Sequence, residues 1–271
     1  MDNKTTMESP VPQKGQPYLS PSRVEKFLGC EFYYDMKYIK LVPSDENGNP
    51  AMLLGTVVDH ALNAMYEIKM RGYDVPMDTI LEQYEKEIES EWERQALNTE
   101  KKVDMILNGF KLINMYYTSM FQMTDAVATQ GEVKGFLEFN GVKIPVLGYL
   151  DLITKDIIFD HKVTARSVGG KLPYKHWLQV GTYSAITGIR EVAIVYLLNQ
   201  KTPRIEIVPY TMTDNDIRHI KRIYYGVWQR IKLMEEGTVI SIPNRSYEWC
   251  NTNCDFARQC GDYYKGYIKQ K

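Results

Sequence analysis

The sequence predicts an α/β fold: a mixed central sheet with helical flanks, and two chain ends joined through cysteines. Three features point there. Five apolar runs of strand length fall between residues 132 and 212, a helix-length segment separates the third from the fourth, and the four cysteines divide between the first helix and the tail. A helix between two strands permits a right-handed crossover that makes them parallel neighbours, whereas tight turns join antiparallel ones. With 271 residues, 44% of them hydrophobic, the chain can form one large domain or a domain with a smaller unit appended.

Residues 1–18 are polar and Pro-bearing, which reads as a disordered lead-in. Ser20 followed by Pro21 marks a helix start, because the fixed φ of proline suits the first helical position and its missing N–H is not needed there. "SRVEKFLGCEFYYDMKYI" carries that helix to about Ile39, and "VPSDENGNP" is a loop. "LLGTVVDHALNAMYEIKMRG" has helical apolar spacing and stops at Gly72, and two amphipathic helices are expected at about 78–97 and 101–122. From Glu132 the period changes. "EVKGFLEFN", "VKIPVLGYLDLIT" and "DIIFDHKVT" read as successive strands, the first two joined at Asn140-Gly141, a dipeptide that tolerates positive φ at both central turn positions. "YKHWLQVGTYSAITG" is a helix ended by Gly188, "REVAIVYLLN" and "RIEIVPYTM" are two more strands, and a long helix from about Asp214 to Glu236 precedes an irregular tail.

Charge and hydropathy narrow the function classes. The 34 acidic and 33 basic side chains leave a formal net charge of −1, so a polyanionic partner must be held by a local patch or a metal rather than by the global field. No window approaches the roughly 18 apolar residues of a membrane span. The N-terminal "MDNKTTMESPVPQKGQP" lacks the apolar region of a signal peptide, and the expected location is the cytoplasm without membrane contact. The 20 tyrosines mostly suit half-buried surfaces, with base stacking open to some of them.

The chemistry concentrates at "FDHKV", residues 159–163. Side chains two apart in a strand share a face, so Asp160 and Lys162 point the same way. An even-numbered connection around Lys155-Asp156 places Asp151, on the preceding strand, directly across from Asp160; an odd one needs a bulge to do so. Like charges directly opposite destabilise a sheet, and a divalent cation between them reverses the sign. Magnesium suits one or two carboxylates, several waters and phosphate oxygens. The competing reading is a plain Asp–Lys ion pair at a sheet end. His60, among apolar neighbours on a helix, by itself fits a core histidine as well as a ligand. Gln179 and Tyr183, four apart, share one face of the helix that follows the Asp-x-Lys strand.

Cys250, Cys254 and Cys260 form a C-x3-C-x5-C cluster, and Cys30 lies far upstream. In a reducing compartment clustered cysteines favour metal ligation over disulfides. Four thiolates fit either a structural zinc or an iron–sulfur cluster. Either would clasp the first helix to the tail.

The series His60, Gly148-Tyr-Leu-Asp151, Asp160-His-Lys162, Gln179-x-x-x-Tyr183 resembles the PD-(D/E)XK nucleases of the RecB-like exonuclease branch. With the split cysteines, it resembles the iron–sulfur members of that branch, the CRISPR-associated RecB-like exonucleases and the nuclease domain of AddB helicase–nucleases. The resemblance spans roughly residues 19–264. It implies a restriction-endonuclease-like core and a Mg²⁺- or Mn²⁺-dependent DNA exonuclease acting on single strands or duplex ends, in recombination, repair or CRISPR-type processing. Asp151 and Asp160 would ligate metal through carboxylates, His60 through its imidazole and His161 through its backbone carbonyl. Lys162 would serve the attacking water, and Gln179 and Tyr183 would position DNA and support the centre. Cys30, Cys250, Cys254 and Cys260 would hold a [4Fe–4S] cluster, with structural Zn²⁺ as the alternative. Glu132 opens the first strand where relatives often carry an acidic residue. The tail departs from the family in its C-x3-C spacing, where C-x2-C is common, and Asp160 fills a place that is often Glu.

The implied organisation is a lead-in at 1–18, an N-terminal helix at 19–49 carrying one cluster cysteine, a nuclease core at 50–240 with a helical insertion at about 73–125, and a cysteine segment at 241–271. A homo-oligomer or a larger recombination or CRISPR complex is compatible with it. The competing function is a non-catalytic nucleic-acid-binding or assembly module that keeps the fold.

Overall fold

A computed structural model describes residues 17–43, 48–95, 97, 101–244, 250 and 254–263. The lead-in expected over 1–18 therefore falls almost wholly outside the described residues. The chain divides into two compact units. One comprises Asn47–Val133 and Gly148–Ile217; the other comprises Met1–Glu46, Lys134–Leu147 and Arg218–Lys271. No helix among the described residues is long and apolar enough to cross a membrane.

The secondary structure is α1 (Pro21–Gly29), α2 (Glu31–Tyr34), a π-helical turn (Asp35–Ile39), α3 (Pro50–Met70), α4 (Met77–Arg94), α5 (Lys102–Ser119), β1 (Ala128–Phe139), β2 (Val142–Ile153), β3 (Ile157–Thr164), α6 (Tyr174–Thr187), β4 (Glu191–Leu198), β5 (Arg204–Thr211), α7 (Asp214–Glu235) and α8 (Ala257–Tyr263). The strands form one five-stranded sheet in the order β1-β2-β3-β4-β5. β2 and β3 are antiparallel, β3 and β4 parallel around α6, and β4 and β5 antiparallel, so the sheet is mixed as expected. The Asn140-Gly141 turn has φ of 48° and 74°, the pair of positive values that matches the twist of a two-residue hairpin.

One expected helix is broken. The segment from Pro21 to Ile39 bends at Cys30, whose φ of −161° and ψ of 110° are extended. Its N–H still caps Lys26, and the break frees Cys30 Sγ to accept from the Asn244 N–H at 3.3 Å. Two starts lie earlier than expected. Asn49 caps α3 by accepting from the Ala51 and Met52 N–H groups, and β1 begins at Ala128 rather than at Glu132.

In the unit holding the β3–β4 pair, apolar residues fill both sheet faces. Phe159, Ala193, Val195 and Leu197 pack with α3, α4 and α5, while Ile158, Ile194, Tyr196 and Leu198 pack with Val180 and Tyr183 of α6. This alternation explains why "VAIVYLL" reads as an unbroken apolar run: a strand covered on both faces has no solvent side to mark. Lys69 seals the end of the helical layer, donating to the Phe121 and Thr124 carbonyls at 2.9 and 3.0 Å.

The other unit ties early and late segments together. Leu19 pairs with Val146, Arg230 forks onto Glu31 at 3.0 Å, Ser241 donates to buried Asp35 at 2.7 Å, and Tyr33 donates to Asp255 at 2.7 Å. Phe32, Tyr33, Met36 and Phe256 form its apolar cluster, against which Cys30, Cys254 and Cys260 pack.

Candidate active site and metal centre

The β2–β3 connection is a two-residue turn at Lys155-Asp156, closed by Thr154 N–H to Ile157 O at 3.0 Å. The register Leu152↔Phe159 and Ile153↔Ile158, extended by one step, sets Asp151 across from Asp160. Of the two cases the sequence left open, the connection is therefore the even one. At Asp151, however, β2 departs from regular alternation. Leu150 belongs to the α6-side core and Leu152 to the α3–α5 side, although residues two apart in a regular strand share a face. Asp151 then turns its carboxylate onto the backbone of β3, where Oδ2 accepts from the His161 N–H at 2.7 Å.

β3 distributes its three motif residues by simple alternation. Asp160 and Lys162 point to the α6 side, with Lys162 Nζ 2.6 Å from Asp160 Oδ2. Asp160 is 1% exposed, and neither carboxylate oxygen has a hydrogen bond of regular geometry. His161 points to the α3–α5 side, where Nε2 meets the Tyr116 hydroxyl at 2.9 Å. Its Nδ1 is buried without a hydrogen-bond partner, 3.7 Å from Asp59 Oδ1.

Among the described residues, Asp59, Asp151 and His161 form a set of metal-capable donors whose ligand atoms all lie within 4.8 Å of one another. Of the ligands expected from the sequence, Asp151 and His161 fall in this set, whereas His60 and Asp160 do not, Asp160 being held by Lys162 on the other face of β3. The α3 donor is Asp59, not His60, which lies one residue further round the helix with Nδ1 2.6 Å from Glu87 Oε1 on α4. His161 brings its imidazole to the cluster, beyond the backbone carbonyl expected of it. A signal for Asp59 was present in the spacing. His60, Asn63 and Glu67 form a polar stripe, with Asn63 donating to Glu67, whereas Asp59 is in phase with buried Leu62 and Tyr66. Gln130 adds support by donating to Asp59 Oδ2 at 3.1 Å from a left-handed backbone, φ 39°.

Burial, then the Asp160 and Asp59 charges, raise the Asp151 carboxyl well above the ordinary aspartate range. Burial alone would depress Lys162, but Asp160 and Asp151 outweigh it and hold the ammonium above its usual value. Asp151 thus senses both the Asp160–Lys162 pair and the Asp59–His161 pair. Buried carboxylates and an imidazole nitrogen without a hydrogen-bond partner are a donor set that a divalent cation can take, the carboxylates suiting Mg²⁺ or Mn²⁺ and the imidazole a transition metal. The residues fit the ion.

α6 carries the remaining motif residues as its spacing dictated. Gln179 donates to the Tyr183 hydroxyl at 3.3 Å, and Tyr183 is 3% exposed. Gly148 makes room for this ring: a Cβ there would stand 2.5 Å from Tyr183 Cε1. His176, one turn earlier, also faces the sheet, its Nδ1 2.6 Å from the Tyr196 hydroxyl. Burial and nearby Lys162 lower its pKa to about 3. Sequence reading passed over His176, although it lies three residues before Gln179. In the other unit, the Cys254 thiol is raised by burial and by the proximity of Cys250 and Cys30.

This fold and site define a nuclease class. The family model described as the PD-(D/E)XK nuclease superfamily matches residues 18–261, and the chain belongs to that superfamily. Among solved structures, one from Eubacterium rectale, whose designation as an exonuclease is itself provisional, aligns over 87% of this chain and 88% of its own at 21% identity, with a TM-score of 0.59. The structure of SSO0001 aligns over 77% of this chain and 97% of its own at 16% identity, with a TM-score of 0.39, too low to bear on the fold. No curated protein matches the sequence.

Proposed function

We propose that the protein is a Mg²⁺- or Mn²⁺-dependent DNA exonuclease of the RecB-like branch, acting on DNA ends in recombination, repair or CRISPR-type processing. The observation that carries this reading is the buried Asp160 carboxylate, whose close partner is Lys162 Nζ at 2.6 Å, beside the Asp59–Asp151–His161 cluster. Asp59, Asp151 and His161 would hold the ion, and Asp160, on the other face of β3, would hold Lys162 beside it. When bound, a divalent cation polarises the scissile phosphate and neutralises charge that builds up in the transition state. Lys162, kept as an ammonium by two carboxylates, is placed to orient the attacking water and steady negative charge on a phosphoryl oxygen rather than to accept a proton. Gln179 and Tyr183 present an amide and a hydroxyl from α6 to position the strand.

The test is cleavage of 5′- and 3′-labelled single- and double-stranded DNA with Mg²⁺ or Mn²⁺. Asp160→Ala and Lys162→Ala should abolish degradation, with Asp160→Asn as the isosteric control and circular dichroism verifying the fold. Undiminished cleavage by both alanine variants removes the reading.

A separate part of the proposal gives Cys30, Cys250, Cys254 and Cys260 a [4Fe–4S] cluster. It is supported by the packing of Cys30, Cys254 and Cys260 around one apolar cluster and by the charge coupling of Cys254 to Cys250 and Cys30. Protein purified without oxygen should be brown and contain iron. One zinc per colourless chain overturns this part and leaves the nuclease reading intact.

A further inference from the structure

We infer that the β3–α6 loop and the first turn of α6 form a platform that selects unpaired DNA: the Tyr174–Trp177 stack receives a base, and Arg166, Lys171, Lys175 and Lys201 receive the flanking phosphates. The inference rests on the nuclease reading above and assigns the residues that choose which form of DNA reaches the site.

A chain with a formal net charge of −1 holds a polyanion only where cations collect locally. The stretch from Thr164 to Lys175 carries Arg166, Lys171 and Lys175 and no acid, and all three cations are exposed. Lys201, also exposed, lies in the β4–β5 turn, which is tied to the start of this stretch. There the Asn199 N–H donates to Thr164 O at 2.8 Å and Gln200 Nε2 to Ala165 O at 3.1 Å. Glu206 on β5 is engaged by the loop, accepting from the Ser167 hydroxyl at 2.6 Å and the Gly170 N–H at 2.7 Å. Gly169 and Gly170, with φ of 65° and 70°, allow the left-handed bend that brings this about. Val168 and Leu172 pack on the α6-side core. The cations therefore stand on a fixed backbone.

The aromatic pair adds what phosphate contacts alone do not supply. Trp177 packs against the same core, and Tyr174 lies on it, with ring centroids 5.6 Å and planes 23° apart. Tyr174 is still 56% exposed, so the ring face away from the indole is open to solvent. A ring supported from behind and open in front is preorganised to stack a base. Only an unpaired base can use it, because a base inside a duplex has both faces covered by its neighbours. Cations beside a stacking aromatic are the combination that binds single strands without reading their sequence. The platform also adjoins the reactive centre. His176, between the two aromatics in sequence, meets the Tyr196 hydroxyl at 2.6 Å, and Tyr196 is the β4 partner of Lys162. The first turn of α6 is thereby fixed next to the Asp160–Lys162 pair.

The test titrates full-length protein, in EDTA so that nothing is cut, into fluorescein-labelled oligothymidylate or a blunt duplex of the same length, with binding read by anisotropy. The wild type should bind oligothymidylate more tightly than the duplex. Tyr174→Ala should weaken oligothymidylate binding about 5- to 100-fold, while Tyr174→Phe, which keeps the ring, should bind like the wild type. Tyr174→Leu, apolar but without a ring, takes the place of the alanine variant if that one does not fold. Lys175→Ala should reduce the slope of log affinity against log salt by about 0.7, the share of one phosphate contact on a single strand. Any one of three results overturns the inference: duplex bound as tightly as oligothymidylate, wild-type affinity in Tyr174→Ala, or equal losses in Tyr174→Ala and Tyr174→Phe. Failure of the nuclease reading looks different: oligothymidylate would bind as described while no DNA is cut with Mg²⁺ or Mn²⁺.

Discussion

Asp59 and His60 are neighbours in sequence but serve different surroundings. Asp59 faces Asp151 and His161, while His60 pairs with Glu87 on α4 and is roughly half exposed. Exposed ion pairs of this kind contribute little to stability. Asp59→Asn should therefore lower DNA cleavage by on the order of 100-fold, by removing charge from a preorganised site, while His60→Ala should change it little. Steady-state cleavage of both variants at saturating Mn²⁺ decides between the two. His176 gives the residue scale its pH dependence. Its folded pKa of about 3 lies below the ordinary histidine value, so between that value and about 6.5 the unfolded chain binds a proton that the native chain does not. Its contribution to stability is fully present above that window and is lost as pH falls through it. Melting temperatures measured from pH 7 to pH 4 should fall less steeply in His176→Gln than in the wild type.

At the scale of elements, close approach decides more than propensity. α5 carries Gly109 in its interior, where alanine would ordinarily be better by about 1 kcal/mol. A Cβ at Gly109 would stand within 2.0 Å of Tyr84 Cζ, and Tyr84 is anchored by its hydroxyl to Met105 O at 2.9 Å. The clash outweighs the helical gain. Gly109→Ala should destabilise the protein by about 1–3 kcal/mol, read from the midpoint of urea unfolding. The helix and strand periods in the sequence located these elements well, because apolar spacing reports directly on which face is covered. Cys30 was different. Nothing in the local spacing marks its extended backbone, which is set by contacts with residues more than 200 positions away, among them the Asn244 N–H on its sulfur.

At the scale of the whole molecule, the unit that holds both termini is joined by polar ties and by the apolar cluster at Phe256. Cys254→Ala should therefore lower the melting temperature by several degrees while cleavage per folded molecule stays near wild type, since no cysteine lies among the nuclease residues. A melting temperature unmoved by the substitution would count against a stapling role for the cysteine set. By itself the sequence determined the α/β class, the order of strands and helices, the shared face of Asp160 and Lys162, and the Gln179–Tyr183 pair. All of these follow from short-range periodicity, 2 in a strand and 3.6 in a helix. Only the tertiary structure decided that Asp59 rather than His60 enters the site, that β2 turns Asp151 onto the backbone of β3, and that the His161 side chain joins the donor set. Each depends on where one element meets another, to within a single residue of rotation or register, and local patterns do not carry that precision.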